Sequence, residues 1–349
     1  MQERELKVRE LQIIQTSIFK IDLNENKISI TEMPEENSDF YTYIRGSINE
    51  VSLANGGRKF KLRSNNTEVI ATIKKVLNDT NSAFDEIIAT RLLRHELAVQ
   101  NKIARMGKEI NEGLLIISII EDRGVKKALL CKVEDLQYID KVNFKLNSGY
   151  PIKRRIFRSV QFILDDKKSI IDIVVHDLNS KGATYWWDDF LELDQLWDDV
   201  YNTKTAFNII DTKVLSKIKS ESPADHTYLR NSAIRYFRTT QEFTIDKFIE
   251  SCFENYVPVR SDKVNVETLK KTIKGLPVKF SFDERFDLKP SEISAKIKYS
   301  VKLNDDIDLI IKDEINIEQT IIPEIHHKLK YIRIRSDVGY DAFNKNPKK

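Results

Sequence analysis

At 349 residues, with 41% apolar side chains, the chain can bury the cores of two or three domains and is excluded from the disordered class. Lysine and arginine (57) nearly balance aspartate and glutamate (54), so the net charge of +3 names no partner and the placement of charge carries the information. The two cysteines, Cys131 and Cys252, each stand alone in an apolar run; they offer neither zinc-ligand spacing nor a disulfide framework, which fits a reducing cytosol.

The opening "MQERELKVRELQIIQ" is charged throughout, and no window approaches the roughly twenty apolar residues that span a bilayer. The expectation is a soluble cytoplasmic protein with no membrane insertion. "LQIIQTSIFKID" and "KISITEM", joined by the turn "NENK", read as a β-hairpin. Apolar residues then return at helical spacing from Thr67 to about Leu77 and from Phe84 to Met106, the second helix ending near Gly107. "EGLLIISIIEDRGVKKALLCKVED" is a hairpin of buried strands turning at Arg123-Gly124, and "RIFRSVQFILDDKKSIIDIVVHDL" repeats the design around "DDKKS". These four runs are the candidate central sheet.

The C-terminal half reads as mainly helical, through "DTKVLSKIKS", "YLRNSAIRYFRTT" and "TIDKFIESCFENY", the last with a threonine cap ahead of an acidic first turn. A helix from Val266 to Lys274 leads into a β-rich end, a last strand "HHKLKYIRIR" and a polar tail. The fold class is therefore α+β, with a mixed, mainly antiparallel central sheet, flanking helices and a β-rich C-terminal part. Turn formers and charges near 147–151 and 256–264 suggest three parts: 1–147, 148–257 and 258–349.

The most unusual stretch is "YWWDDFLELDQLWDD", Tyr185 to Asp199. As one helix beginning after Thr184 it aligns Trp186, Phe190, Leu193, Trp197 and Tyr201 on a single stripe, with Asp188 and Asp189 in the first turn where the helix dipole favours carboxylates. Packing of the aromatics is the commonest meaning of such a pattern. A magnesium site from Asp188, Asp189 and Glu192, or a partner-docking face made by Trp186, Trp187, Asp188, Asp189 and Trp197, are the alternatives.

Opposite charge collects upstream in "KLNSGYPIKRRIFRSVQF", where Lys153, Arg154, Arg155 and Arg158 occur without a carboxylate. They could hold phosphates, or pair with the acidic stretch thirty-odd residues later. Arg91, Arg94, Lys102 and Arg105 follow helical spacing, Arg235 and Arg238 flank Tyr236 and Phe237, and "GGRKFKLR" is a basic loop or strand. Catalytic signals are thin. The histidines have no metal spacing with cysteine, the adjacent His326 and His327 would point apart on a strand, and no phosphate-cradling glycine motif occurs. Asp172 and Asp177, with Lys181 beyond, lack the carboxylate-x-lysine spacing of a nuclease core.

The succession of "LQIIQTSIFKID", "FDEIIATRLL", "GLLIISIIEDRGVKKALLCKVED", "RIFRSVQFIL", "IDIVVHDL", "YWWDDFLEL", "NTKTAFNIID" and "LKKTIKGLPVKFSFDE" resembles the bacterial nucleoid-associated proteins typified by NdpA/YejK. The resemblance covers nearly the whole chain, with "YWWDDFL" its most distinctive element. It implies a cytoplasmic, nucleoid-located, non-enzymatic protein that binds double-stranded DNA without a cofactor, and a homodimer is the expectation for a DNA-bridging protein. Similar domains serve antiphage systems, where DNA binding senses invading DNA. Two rivals remain: a metal-dependent nuclease, and a protein-protein interaction subunit of a defence or chromosome-maintenance system docking through the acidic aromatic stretch.

Overall fold

A computed structural model describes residues 11–54, 56–78, 83–107, 109–142, 144–151, 158–177, 184–295, 299–304, 306–311 and 320–344. Strands β1 (Gln12–Asp22) and β2 (Lys27–Thr31) form the expected opening hairpin. Then come helix α1 (Asp39–Leu53), strand β3 (Arg58–Leu62) and helices α2 (Glu68–Asn78) and α3 (Ala83–Ile103). Strands β4 (Gly113–Asp122) and β5 (Val125–Glu134) are followed by a small hairpin of β6 (Leu136–Ile139) and β7 (Leu146–Gly149). Next are β8 (Arg158–Leu164), β9 (Ile170–Asp177) and a short β10 (Leu193–Gln195).

These strands build an eight-stranded sheet in the order β10-β3-β9-β8-β5-β4-β1-β2, and every adjacent pair in it is antiparallel. The four runs picked from the sequence lie side by side at its centre. The expected admixture of parallel strands is absent among the described residues, because each sheet neighbour is reached by a hairpin or a long return. Both central faces are covered, which is why β4 and β5 read as continuous apolar runs. Alternate residues, Leu115, Ile117, Ala128 and Leu130, join the core beneath α2 and α3. The intervening Leu114, Ile116, Leu129 and Cys131 meet Ile44, Ile48 and Val51 of α1.

Contacts divide the chain into two units, one of residues up to Asn202 plus Ser281–Phe286, the other of Thr203–Phe280 plus Asp287 onward. The sequence seam at 147–151 thus lies inside the first unit, where β5 and β8 pair across it. The second unit contains most of α4 (Asp199–Ile209) together with α5 (Pro223–Thr239), β11 (Glu242–Thr244), α6 (Ile245–Phe253), α7 (Val266–Lys274) and α8 (Leu276–Phe280). Phe237, Phe243 and Phe248 fill its core ring against ring. The Thr244 hydroxyl caps α6 by accepting from Lys247 N at 3.2 Å, as its sequence indicates. The buried Asp225 carboxylate accepts from the Ser222 and Tyr256 hydroxyls and from Val259 N and Arg260 N, pinning the loop that follows α6.

After β12 (Arg285–Asp287) the chain forms two hairpins, β13 (Tyr299–Lys302) with β14 (Asp308–Ile311) and β15 (Ile321–His326) with β16 (Leu329–Ile334), then a short helix α9 (Asp337–Phe343). The β-rich end is therefore present. The histidine pair differs from its expected geometry: β15 ends at His326, and His327 enters the turn with φ +48°, so the two rings lie 4.2 Å apart by centroid.

Candidate nucleic-acid interface

The acidic aromatic stretch is not one helix. A single wide turn spans Trp186–Phe190, closed by Leu191 N donating to Trp186 O, and Glu192 then takes a left-handed conformation with φ +53°. Leu193–Gln195 continues as β10 against β3. The cause is Arg91 of α3, whose guanidinium donates to Asp189 O and Phe190 O at 2.9 Å each. Those carbonyls would otherwise accept from the next helical turn. Trp186 is fully buried with its ring 5.0 Å from Phe190, and Trp187 lies against Phe60 at 5.4 Å. Trp187 and Trp197, the latter stacked on Tyr201, are left half-buried, but with Trp186 in the core the expected aromatic docking face is not assembled as a set.

Four of the six carboxylates of this stretch are met by cations of its own unit, while Asp189 is exposed. Asp188 and Asp194 bind Arg63, Glu192 binds Arg91, and Asp199 binds Arg58 at 2.9 Å. The hydrogen bonds it donates to Asp188 and Asp194 hold the Arg63 guanidinium above its ordinary pKa. Asp198 is used differently: its carboxylate accepts from Tyr201 N at 2.7 Å and caps α4. Arg58 also approaches Asp283, a buried carboxylate that accepts from Lys59 N and Asn202 Nδ2. Burial pushes the Asp283 carboxyl up to about 6.

Of the upstream basic run, Lys153, Arg154 and Arg155 lie outside the described residues. Arg158 is buried, and its assignment to a phosphate-binding surface is corrected. Its guanidinium binds Glu134 at 2.7 Å and Asp177 at 3.6 Å, and stands 5.2 Å from the centre of the Tyr185 ring. Strand pairing explains this, since Arg158 sits opposite Asp177 on β9 and Lys132 on β5, all in one row under α3. Lys132 is fully buried and binds Glu96 of α3 at 2.7 Å, while Tyr185 donates to the other Glu96 oxygen. Desolvation drives the Tyr185 pKa well up, with Glu96 adding to it. The network was missed in sequence; the available signal was Lys132 itself, a lone cation in the run "ALLCKVED".

Arg91 is likewise withdrawn from the surface, being 9% exposed and bound to Glu68 and Glu192 as well as the two carbonyls. Arg94 shares Glu68 at 3.0 Å but keeps 63% of its side chain exposed. With Glu86, Ile87 and Thr90 these residues line an open cleft of about 350 Å³ whose charges are largely cancelled within it. Further along α3 the situation changes. Arg94, Ala98, Asn101 and Lys102 share one exposed face of α3, which the exposed Arg105 continues in the 3-10 turn Ala104–Met106, and Lys102 and Arg105 have no carboxylate partner among the described residues. Arg235 and Arg238 are exposed on α5 of the second unit, Arg238 donating to Ile293 O.

The C-terminal half of α3 lies at the end of the sheet where β4 begins and β5 ends: Glu96 binds Lys132 of β5, and Gln100 accepts from Ile110 N ahead of β4. The β6-β7 hairpin leaves from that same end. Among the described residues no group of three or more His, Cys, Asp or Glu is arranged to hold a metal ion. Asp172 binds Lys59 and Asp177 faces Arg158; five residues apart on β9, the two point to opposite sides of the sheet. No described helix is long and apolar enough to cross a membrane. No protein-family model matches the chain, and no curated protein is significantly similar to it.

Proposed function

We propose that this chain is a nucleoid-associated-like protein that binds double-stranded DNA through the exposed cationic face of α3, with Lys102 and Arg105 as its centre and Arg94 at its margin. The observation that carries this reading is that from Arg94 through Lys102 on α3 to Arg105 in the turn that extends it, a run of about 16 Å at roughly 1.5 Å per residue, this segment contributes no exposed carboxylate of its own, Glu96 being buried. Charges of one sign on a rigid helix suit a polyanion, and the contact they make is to phosphates, so it is salt-sensitive and indifferent to base sequence. Such binding serves either chromosome organisation or the sensing of invading DNA in antiphage defence.

The test is fluorescence anisotropy with a random-sequence duplex over a salt series, comparing the wild type with Lys102→Ala/Arg105→Ala. Loss of two phosphate contacts lowers the slope of log affinity against log salt by about two units, equally for unrelated sequences. An unchanged slope and affinity would remove these residues from the interface. Incubation of supercoiled plasmid with magnesium or manganese runs beside it, and nicking by the pure protein would favour the nuclease reading.

A further inference from the structure

The β6-β7 hairpin is anchored at its root and bare at its tip. Asp135 N donates to Glu112 O at the start of the hairpin, and at its end Tyr150 stacks on Tyr43 beside the α1 core. The ladder pairs Leu136 with Gly149, Tyr138 with Asn147 and Ile139 with Leu146, giving a shaft of about 13 Å at 3.3 Å per residue. The tip is tied by hydrogen bonds on Asp140: its N–H donates to Lys145 O, its carbonyl accepts from Phe144 N, and its carboxylate accepts from Val142 N, all at 2.8–2.9 Å.

Val142 and Phe144 at this tip point into solvent. Val142 is 80% exposed and Phe144 78%. Phe144 moreover occupies a left-handed conformation, φ +57°, which a bulky side chain adopts only at a cost and where glycine or asparagine is ordinarily found. Among the described residues no burial of the ring repays that cost. Lys141 and Lys145, both exposed, flank the apolar pair.

We infer that the hairpin is a wedge that enters the minor groove of duplex DNA. Phe144, supported by Val142, presses into one base step, while the ammonium groups of Lys141 and Lys145 meet the phosphates on either side. The inference rests on the duplex-binding reading of α3 and extends it from backbone contact to deformation of the duplex. Apolar side chains of this kind partly unstack a step and kink the DNA, and a ribbon of this length exceeds the depth of either groove. One observation favours a nucleic acid over a lipid surface: the cationic face of α3 is at the same end of the sheet.

The experiment uses the full chain and a duplex carrying 2-aminopurine at internal steps and a fluorophore pair at its ends. The wild type is expected to raise 2-aminopurine fluorescence and shorten the end-to-end distance. Phe144→Gly suits the left-handed backbone, so its folding is not at risk, and it is expected to lose both signals while keeping the salt slope of the wild type. Binding by the wild type without unstacking or bending overturns the wedge and leaves the α3 reading standing. Absence of duplex binding overturns both. Pelleting of the wild type with phosphatidylserine vesicles that Phe144→Gly abolishes, with no change in the DNA signals, makes the hairpin a lipid anchor and overturns the wedge.

Discussion

The stretch from Tyr185 to Asp199 and the C-terminal half of α3 are both written as amphipathic segments dense in charge, and they meet opposite fates. In the first, Asp188, Glu192, Asp194 and Asp199 are each engaged by Arg63, Arg91 or Arg58, and Tyr185, Trp186 and Phe190 go into the core. In the second, Lys102 and Arg105 face solvent with no carboxylate in reach among the described residues. The difference lies in what the rest of the fold brings alongside. Strand β3 and the first half of α3 deliver cations to the acidic stretch, whereas nothing described lies over the last turns of α3. Charge density in a sequence therefore marks where pairing is decided, and the sheet decides which charges are consumed.

The strongest way to break this comparison is at the buried pair of Lys132 and Glu96. Two charges taken fully out of water hold each other, and removing one strands the other at a cost of about 3–5 kcal/mol. Lys132→Met is expected to lose that much in urea unfolding, with DNA affinity per folded molecule unchanged. Lys132→Met/Glu96→Leu should recover most of the loss, because a well-packed apolar pair is often neutral in such a position. A Lys132→Met protein of wild-type stability would mean that this row is solvated and that consumed and free cations are not distinct classes.

A smaller effect is expected from Asp283, the carboxylate near Arg58. Its folded pKa of about 6 stands above the ordinary carboxylate value, because burial outweighs the hydrogen bonds from Lys59 and Asn202. The folded state thus holds the proton more tightly than the unfolded chain. The stability linked to this group is fully present below about pH 4 and is lost as pH rises through about 6. Two pKa units correspond to about 2–3 kcal/mol. Denaturant midpoints measured from pH 4 to 7.5 should show this component, and Asp283→Asn should flatten it; an identical pH profile in the variant would place the titration elsewhere.

How much of this could be read in advance follows the range of the forces involved. The hairpins were legible because their turns are local: Asn26, Arg123 and Gly124 take the positive φ that "NENK" and "DRGV" imply. Helices α2, α3 and α7 were legible from apolar period, and α3 from the stop at Gly107, φ +65°. Helix α1 was not, since its buried face mixes Ile44, Ile48 and Val51 with Ser47 and Ser52; the Ser38 cap was its one clear sign. The acidic stretch was misread because its helix is ended by a guanidinium from a segment about a hundred residues away. Arg158 was misplaced for a related reason, its burial depending on which strand lies opposite. Period and capping chemistry are properties of a segment, whereas quenching of a charge is a property of a pairing.

The smallest expected effect is the one that sharpens the contrast most. Lys102 sits beyond Arg94 near the end of α3 and Arg105 in the 3-10 turn Ala104–Met106 that extends it, where their ammonium and guanidinium groups remain exposed without a carboxylate partner among the described residues. Removing a solvated charge forfeits little, and alanine is the best helix former, so Lys102→Ala/Arg105→Ala should move unfolding free energy by no more than about 0.5 kcal/mol per site. Their position at the C-terminal end of the helix sets the sign of any residue, because cations there favour the helix dipole and their loss costs a few tenths of a kcal/mol at low salt. A loss above about 2 kcal/mol would show these cations to be structural like Arg91, and the proposed interface would lose its distinguishing property; a flat stability beside a reduced salt slope would separate binding from folding on one helix.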